Sequence, residues 1–255
     1  MSGSLILLNL AGAVALLLWA TRMVRTGVEA VFGARLRDTL GPMLKNPVLA
    51  ALSGMFLAIL FQSATAAGLL VSGFASQQII SVTTGIIALL GADLGSAIAT
   101  RLLSFDLQYL IPALILIGTA AYMATENRGW RQAGRILVGI GLLLLSLRMI
   151  GQASEPLRES SLLPVIVRTL SADASIAFIV AAVTTWLFHS SVASVLLIAT
   201  LAAKSLIPVD LGLDLVLGAN FGGALIAAAL TRSGTPAQRA VPLGNLILRG
   251  VGSIA

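Results

Sequence analysis

Cysteine is missing from this chain of 255 residues, and the sequence contains a single histidine. Disulfide bonds and thiolate metal sites are therefore excluded, since both need cysteine sulfur. Charged residues are also scarce, at 10% of the chain, whereas soluble proteins carry about 25%. One histidine and scattered acids give no metal cluster and no catalytic triad, and the sequence has no P-loop. We therefore expect no enzyme, no ATP-driven pump and no cofactor.

Apolar residues make up most of what is present. They account for 58% of the chain, and the mean hydropathy is +1.00. One water-facing domain cannot bury that much apolar surface, so lipid must cover part of it. The net charge of +6 comes from basic residues between apolar segments, a pattern typical of membrane topology rather than of nucleic-acid binding. We expect an all-α, polytopic protein of an inner or plasma membrane, because helices satisfy their own backbone polar groups in lipid.

Several segments are long and apolar enough to cross a bilayer wholly or in part, which takes about 20 helical residues. These candidates are Leu5–Ala20, Ser81–Leu103, Tyr109–Ala124, Ile136–Ile150, Val209–Leu230 and a segment that starts near Ala240 and still continues at Ala255. No basic region precedes the first, which we interpret as a retained span rather than a cleaved signal. The unfinished last segment predicts a truncated C-terminus. Two amphipathic segments, Thr21–Lys45 and Glu155–Leu170, predict helices in the membrane interface or, alternatively, in solvent.

Two longer apolar stretches, at 47–75 and 174–203, have polar residues at their centres. The polar clusters are Gln62-Ser63-Ala64-Thr65 and His189-Ser190-Ser191. Each stretch could be one helix with a polar midpoint, or a re-entrant hairpin with the cluster at its tip. A broken helix at membrane depth survives only where protein or a water-filled cavity satisfies its backbone.

The sequence repeats internally. Phe61–Arg101 aligns without a gap with Phe188–Ala228, an offset of 127 residues (188 − 61). Identical pairs include Ser63/Ser190, Gly91/Gly218 and Gly95/Gly222. We therefore divide the chain into a first repeat at 1–127, with hairpin 47–75 and linking helix 109–124, and a second at 128–255, with hairpin 174–203.

The number of crossings predicts that the two repeats are inverted. The first repeat and its linking helix cross the membrane an odd number of times, because a re-entrant hairpin makes no net crossing, so the second repeat enters from the opposite side. One side then carries ten basic residues and the other five. The ten are Arg22, Arg25, Arg35, Arg37, Lys45, Arg128, Arg131, Arg135, Arg232 and Arg239, and the five are Arg101, Arg148, Arg158, Arg168 and Lys204. The positive-inside rule makes the richer side cytoplasmic and the N-terminus external.

The hairpin tips are the candidate anion site. Their uncharged polar residues are Gln62, Ser63, Thr65, Ser190 and Ser191. If each hairpin breaks there, a second half-helix begins at each tip, and its free N–H groups and positive dipole end face an anion. Two such tips, from inverted repeats, would meet near the midplane. The alternative is that these hydroxyls only bond to neighbouring helices.

A second paired motif follows each hairpin, at Gly91–Ser96 and Gly218–Gly223. Its glycines allow either close helix packing or an unwound turn whose carbonyls bind a cation. Asp93 is a candidate sodium or proton site, or a carboxylate buried against an arginine or amide.

Two basic side chains near these motifs have alternative roles. His189 could couple transport to protons, although a neutral ring in the place of Gln62 is the simpler interpretation. Arg249 could bind an anion or extend towards an interface.

At these residues the chain resembles the type II sodium/phosphate cotransporter family, including its bacterial members. The resemblance rests on two Gln-Ser-Ser-Ser type clusters, each followed by a Gly-Ala-Asn-x-Gly type motif. It implies phosphate ligands at the tips, namely Gln62, Ser63, Thr65, His189, Ser190 and Ser191, and sodium ligands at Ser63, Thr65, Asp93, Ser190, Ser191 and Asn220. Ala64, Thr65, His189 and Val192 depart from the family pattern. Many bacterial relatives also carry a C-terminal PhoU-like helical domain, which lies outside this sequence.

Together these observations predict sodium-coupled transport of inorganic phosphate by alternating access. The alternatives are a proton-coupled or uncoupled transporter of another small oxyanion, and a membrane sensor or scaffold that binds phosphate without moving it. Sodium is the expected coupling ion, with the lipid bilayer as surroundings and no nucleic acid as partner.

Overall fold

The computed structural model describes residues 3–44, 46–105, 107–159 and 162–253. In that part of the chain every regular element is a helix, which confirms the all-α prediction. The α-helices are α1 (Gly3–Met43), α2 (Pro47–Phe61), α3 (Ala64–Ser76), α4 (Val82–Leu103), α5 (Ile111–Met123), α6 (Arg128–Ser154), α7 (Leu162–Ala172), α8 (Ala174–Phe188), α9 (Ser191–Ala203), α10 (Val209–Leu230) and α11 (Pro236–Gly252). Short 3₁₀ helices lie at Gln108–Leu110 and Glu155–Glu159.

Within the described residues, four helices are long and apolar enough to cross a membrane, in α1, α4, α6 and α10. They confirm four of the predicted spans by length and composition. The predicted spans at Tyr109–Ala124 and from Ala240 onward are also helical in the described residues, where α5 has 13 residues and α11 has 17, and neither is among these four. The α7–α8 pair is bent by 111° and counts as a fifth span only if it is one broken helix.

The first helix is longer than the sequence predicted. The expected interfacial helix from Thr21 is the uninterrupted continuation of the first span, and the predicted end at Lys45 lies outside the described residues. The helix continues because Val24 and Val28 are buried, and Val24 packs where Gly139 of α6 leaves room. Gly27 lies opposite Ile136, so α1 and α6 run antiparallel.

Both predicted hairpins break where their polar clusters stand. α2 ends and α3 begins around Gln62 and Ser63, and α8 ends and α9 begins around His189 and Ser190. The helix bounds also repeat: α2, α3 and α4 match α8, α9 and α10 residue for residue at the 127-residue offset. The internal repeat is therefore a repeat of backbone structure as well as of sequence.

Paired glycines bring the flanking helices into backbone contact. A Cβ added at Gly91 would lie 1.9 Å from the carbonyl oxygen of Ala51 in α2, and one at Gly218 would lie 2.2 Å from that of Phe178 in α8. Both motifs stay helical throughout. Of the two alternatives that the sequence left open, close helix packing is the one that forms, and no turn unwinds there.

The last helix connects the two halves. α11 packs against α3 and α4 of the first half and against α10 of the second, while α5 packs mainly on α6. Val241 of α11 is fully buried and lies against Gly85 of α4. This placement brings the C-terminal part of α11 to the middle of the molecule.

Candidate functional site

The two hairpin tips share one backbone geometry. Gln62 and His189 both end a helix in the left-handed conformation, with φ of 50° and 54°. The next residue then caps the second half-helix: the Ser63 hydroxyl oxygen accepts the Ala66 N–H at 3.1 Å, and the Ser190 oxygen accepts the Ala193 N–H at 3.2 Å. A non-glycine residue in this conformation is strained by about 1–3 kcal/mol, and Gln78 and Ser205, just beyond the other ends of α3 and α9, adopt it as well.

The tips meet at a single residue of α10, Gly223. The Thr65 hydroxyl, in the first turn of α3, donates to the Gly223 carbonyl at 3.3 Å. A Cβ added to Gly223 would lie 2.9 Å from the Cβ of Ser191, which opens α9. Both second half-helices therefore begin beside the same point, and glycine leaves the room for them to do so.

A charged pair lies next to this point. Arg249 of α11 donates through Nε to an Asp93 carboxylate oxygen at 2.9 Å and through Nη2 to the other oxygen. Its Nη1 donates to the carbonyl of Asn220. The Arg249 side chain is 6% exposed and that of Asp93 is 19% exposed. Asp93 and Asn220 occupy equivalent positions halfway along α4 and α10, so one arginine contacts both repeats.

A cavity of about 1250 Å³ leads to these residues between α4, α6, α9 and α10. Asp93, Ser191 and Asn220 line it where the tips converge. Arg101 lies eight residues further along α4, about 12 Å at 1.5 Å per residue. Together with Arg148 and Lys204 it places three basic side chains in the cavity wall, and Glu155 lies 3.8 Å from the Lys204 ammonium. An anion entering from that end meets positive charge first.

The predicted site residues occupy different surroundings. The amide oxygen of Gln62 is buried and has no hydrogen-bond partner, which makes it a candidate ligand for a bound ion. Ser63 and Ser190 are half-buried, and Thr65 is buried. His189, by contrast, is exposed; its Nδ1 lies 3.1 Å from the Leu187 carbonyl and its ring stacks on Trp186.

Two features of the site were not evident from the sequence. The sequence left open whether Arg249 binds an anion or extends towards an interface, and in the structure its partner is Asp93. Asp93 is therefore paired with an arginine, which was one of the two roles predicted for it. Gly223 was treated only as part of a motif. The sequence did offer one sign that Gly223 is special: the equivalent position in the first repeat is Ser96, so the two motifs differ there. In the described residues no group of three or more histidine and acidic side chains could hold a metal ion.

Comparison with known proteins gives a family match over much of the chain. The family model described as Na+/Pi-cotransporter matches residues 16–152. Proteins named "Putative inorganic phosphate export protein YjbB" in Salmonella typhimurium and in Escherichia coli K12 are each 40% identical over 98% of this chain and 46% of their own length. An uncharacterized protein of Bacillus subtilis, YqeW, is 22% identical over 97% of this chain and 80% of its own. The chain thus spans about half the length of the first two relatives, and no solved structure matches it.

Proposed function

This chain belongs to the Na+/Pi-cotransporter family, which confirms the resemblance seen in its motifs, and we propose that it transports inorganic phosphate across the membrane with sodium as the coupling ion. The family and the several apolar helices make it a multi-pass membrane protein. The relatives at 40% identity are named for phosphate export. A coupled carrier runs in the direction that its gradients set, so we assign no fixed direction to this chain.

The convergence of both hairpin tips at Gly223 is the observation that carries this proposal. Each tip presents the start of a half-helix, where unpaired N–H groups and the positive dipole end stabilise an anion. Thr65 and Ser191 add a hydroxyl from each tip, and the guanidinium of Arg249, paired with Asp93 in this structure, lies beside them. Such a site offsets the loss of hydration that a doubly charged anion suffers on leaving water, which costs several kcal/mol per charge.

Inversion of the repeats is part of the proposal, and helix directions support it. α6 is the counterpart of α1, and the two run antiparallel. α11 runs parallel to α4, since Val241 faces Gly85 and Arg249 faces Asp93. It folds back along α10, because a short connection joins Leu230 to Pro236 and Gly250 nevertheless lies against Phe221. α4 and its counterpart α10 therefore point in opposite directions. This arrangement provides the symmetry on which alternating access depends.

We further propose an inner or plasma membrane location with the N-terminus outside. Arg101, Arg148 and Lys204 line one cavity and belong to the side that holds fewer basic residues. The cavity in this structure would then open to the outside, and its basic wall would attract phosphate from there.

Flux in proteoliposomes tests the proposal. Purified protein is reconstituted, and labelled phosphate movement is followed with an inward sodium gradient, an outward one, and choline in place of sodium. We expect phosphate to follow the sodium gradient in both directions and to move little in choline. Tight phosphate binding without flux would identify a sensor instead. Phosphate flux that follows a pH gradient and does not depend on sodium would show that protons, and not sodium, are the coupling ion.

A matched pair of variants tests the tip directly. S190D and S190N both keep an oxygen that caps α9, so both should fold. Only S190D places a negative charge where the anion would lie. We expect S190D to lower phosphate flux more than about tenfold relative to S190N, since close like charges cost several kcal/mol. Equal flux in the two variants would show that the tip does not hold the anion.

A further inference from the structure

We propose that Arg249 is a direct ligand of the transported anion and that Asp93 is its internal counterion, which a bound cation draws away to release Arg249. This inference rests on the proposed function and names the residues that would make phosphate binding depend on sodium. The hairpin motifs contain neither residue.

The position of the pair relative to the cavity is the first observation. Asp93 lines the cavity, whereas Arg249 is only 8% exposed and is held by both carboxylate oxygens of Asp93. An anion arriving through the cavity therefore meets a carboxylate before it meets the guanidinium. Like charges repel, so phosphate binds poorly at Arg249 as long as Asp93 remains paired there and carries its charge.

The chemistry of the guanidinium is the second observation. Arginine presents a planar fork of N–H donors that fits carboxylate and phosphate oxygens equally well. Phosphate oxygens can therefore take the positions at Nε and Nη2 that the Asp93 carboxylate occupies in this structure. The third donor, Nη1, is held by the Asn220 carbonyl and keeps Arg249 in place during the exchange.

Charge balance then links the two ligands. With neither ligand bound, the Asp93–Arg249 pair is neutral, which is the arrangement that a poorly hydrated site tolerates. Sodium on Asp93 alone leaves Arg249 unpaired, and phosphate on Arg249 alone leaves Asp93 unpaired. Binding both leaves each charge with a partner. Each ligand thus raises the affinity of the other, and thermodynamic linkage makes the effect reciprocal.

The second repeat supplies a matched variant. Asn220 stands at the position equivalent to Asp93 on a helix with the same bounds and the same glycine contacts, so an asparagine fits this backbone environment. D93N keeps the shape of the side chain and removes its charge. Arg249 is then permanently available, and phosphate should no longer need sodium.

Equilibrium binding of labelled phosphate to the purified chain, in sodium chloride and in choline chloride, tests the inference. For the natural sequence we expect sodium to tighten phosphate binding about tenfold or more, within the usual range for coupled ligands. For D93N we expect similar affinities in the two salts, both at least as tight as the natural sequence in sodium. R249Q should weaken phosphate binding more than about tenfold in both salts.

The outcomes separate the two levels of the proposal. If D93N keeps the natural sodium dependence, or if R249Q binds phosphate normally, the counterion inference is wrong while the transport function stands. If the natural sequence neither binds nor moves phosphate in either salt, the proposed function itself fails.

R249K provides a further test should D93N fail to fold, because lysine keeps the charge that Asp93 needs and lacks the fork. It should retain sodium dependence with weaker phosphate binding, and unchanged affinity would overturn the inference.

Discussion

The two hairpin tips have nearly the same backbone and different side chains. Their φ values differ by 4°, their capping bonds by 0.1 Å, and their helices have equal lengths. Yet Gln62 has a buried amide oxygen at the first tip, while His189 is exposed at the second. The following helix carries a carboxylate at Asp93 and a neutral amide at Asn220. Local capping and glycine contacts therefore specify the shared backbone, and the side chains remain free to differ in chemistry.

The last helices of the two repeats, α5 and α11, differ still more. Tyr122 of α5 is the position equivalent to Arg249 of α11, by the same 127-residue offset. Tyr122 is exposed, and its ring and hydroxyl contact Arg131 on α6, whereas Arg249 is buried beside both tips. Of these two equivalent positions, the one in the second repeat brings a positive charge to the centre and the one in the first repeat does not. The symmetry of the backbone leaves the site itself asymmetric.

Adding a side chain at the paired glycines should have the largest effect. G91L and G218L each drive carbon atoms into a backbone carbonyl of the neighbouring helix, which cannot move aside as a side chain can. We expect each to lower the free energy of unfolding by about 3 kcal/mol or more, measured by unfolding in mixed detergent. G73A is the control, because a Cβ there meets nothing within 4 Å. If only one of the two leucine variants lost stability, the helix contacts in the two repeats would not be equivalent.

Removing the caps should have an intermediate and equal effect. S63A and S190A each leave one N–H of the following helix without its acceptor, which costs about 1 kcal/mol. The same unfolding measurement applies. S76A serves as the control, since its hydroxyl donates to a carbonyl within its own helix and caps nothing. Caps of clearly unequal strength would mean that the tips differ in backbone as well as in side chain.

Exchanging the residues at the helix ends should have the smallest effect on stability and sharpen the chemical contrast. H189Q replaces an exposed side chain by glutamine, the residue that the first tip has at the equivalent position. We therefore expect the free energy of unfolding to change by no more than about 0.5 kcal/mol. Phosphate flux and its pH dependence should stay as they were, because the ring is exposed and stacks on Trp186. Q62H alters a buried oxygen at the first tip and should lower flux. A shifted pH profile in H189Q would give His189 a part in proton coupling.

Much of the fold followed from local sequence signals. The breaks at Gln62 and His189 were one of two alternatives that the polar clusters within long apolar stretches left open, and the structure selects them. The repeat could be predicted because identical residues recur at one spacing. The end of the first span could not: Val24 and Val28 are buried only because α6 lies against them, and nothing in their own segment shows that contact.

The centre of the site was the least predictable part. Asp93 and Arg249 are 156 residues apart, and no periodicity connects them. Arginine inside an apolar helix indicates a polar partner, but only the placement of α11 between α4 and α10 identifies that partner. Residue types therefore told us which side chains needed a partner, while packing across the two halves decided which one each received.

The glycine contacts also restrict how the molecule can move. With carbonyl oxygens against glycines, α2 cannot slide along α4, nor α8 along α10, so each pair shifts only as a rigid block. Near the tips, the blocks are tied by the Thr65 hydroxyl and by the three donors of Arg249. Rocking one block against the other would have to break or exchange these few hydrogen bonds, so the exchange of partners at Arg249 would accompany any such motion.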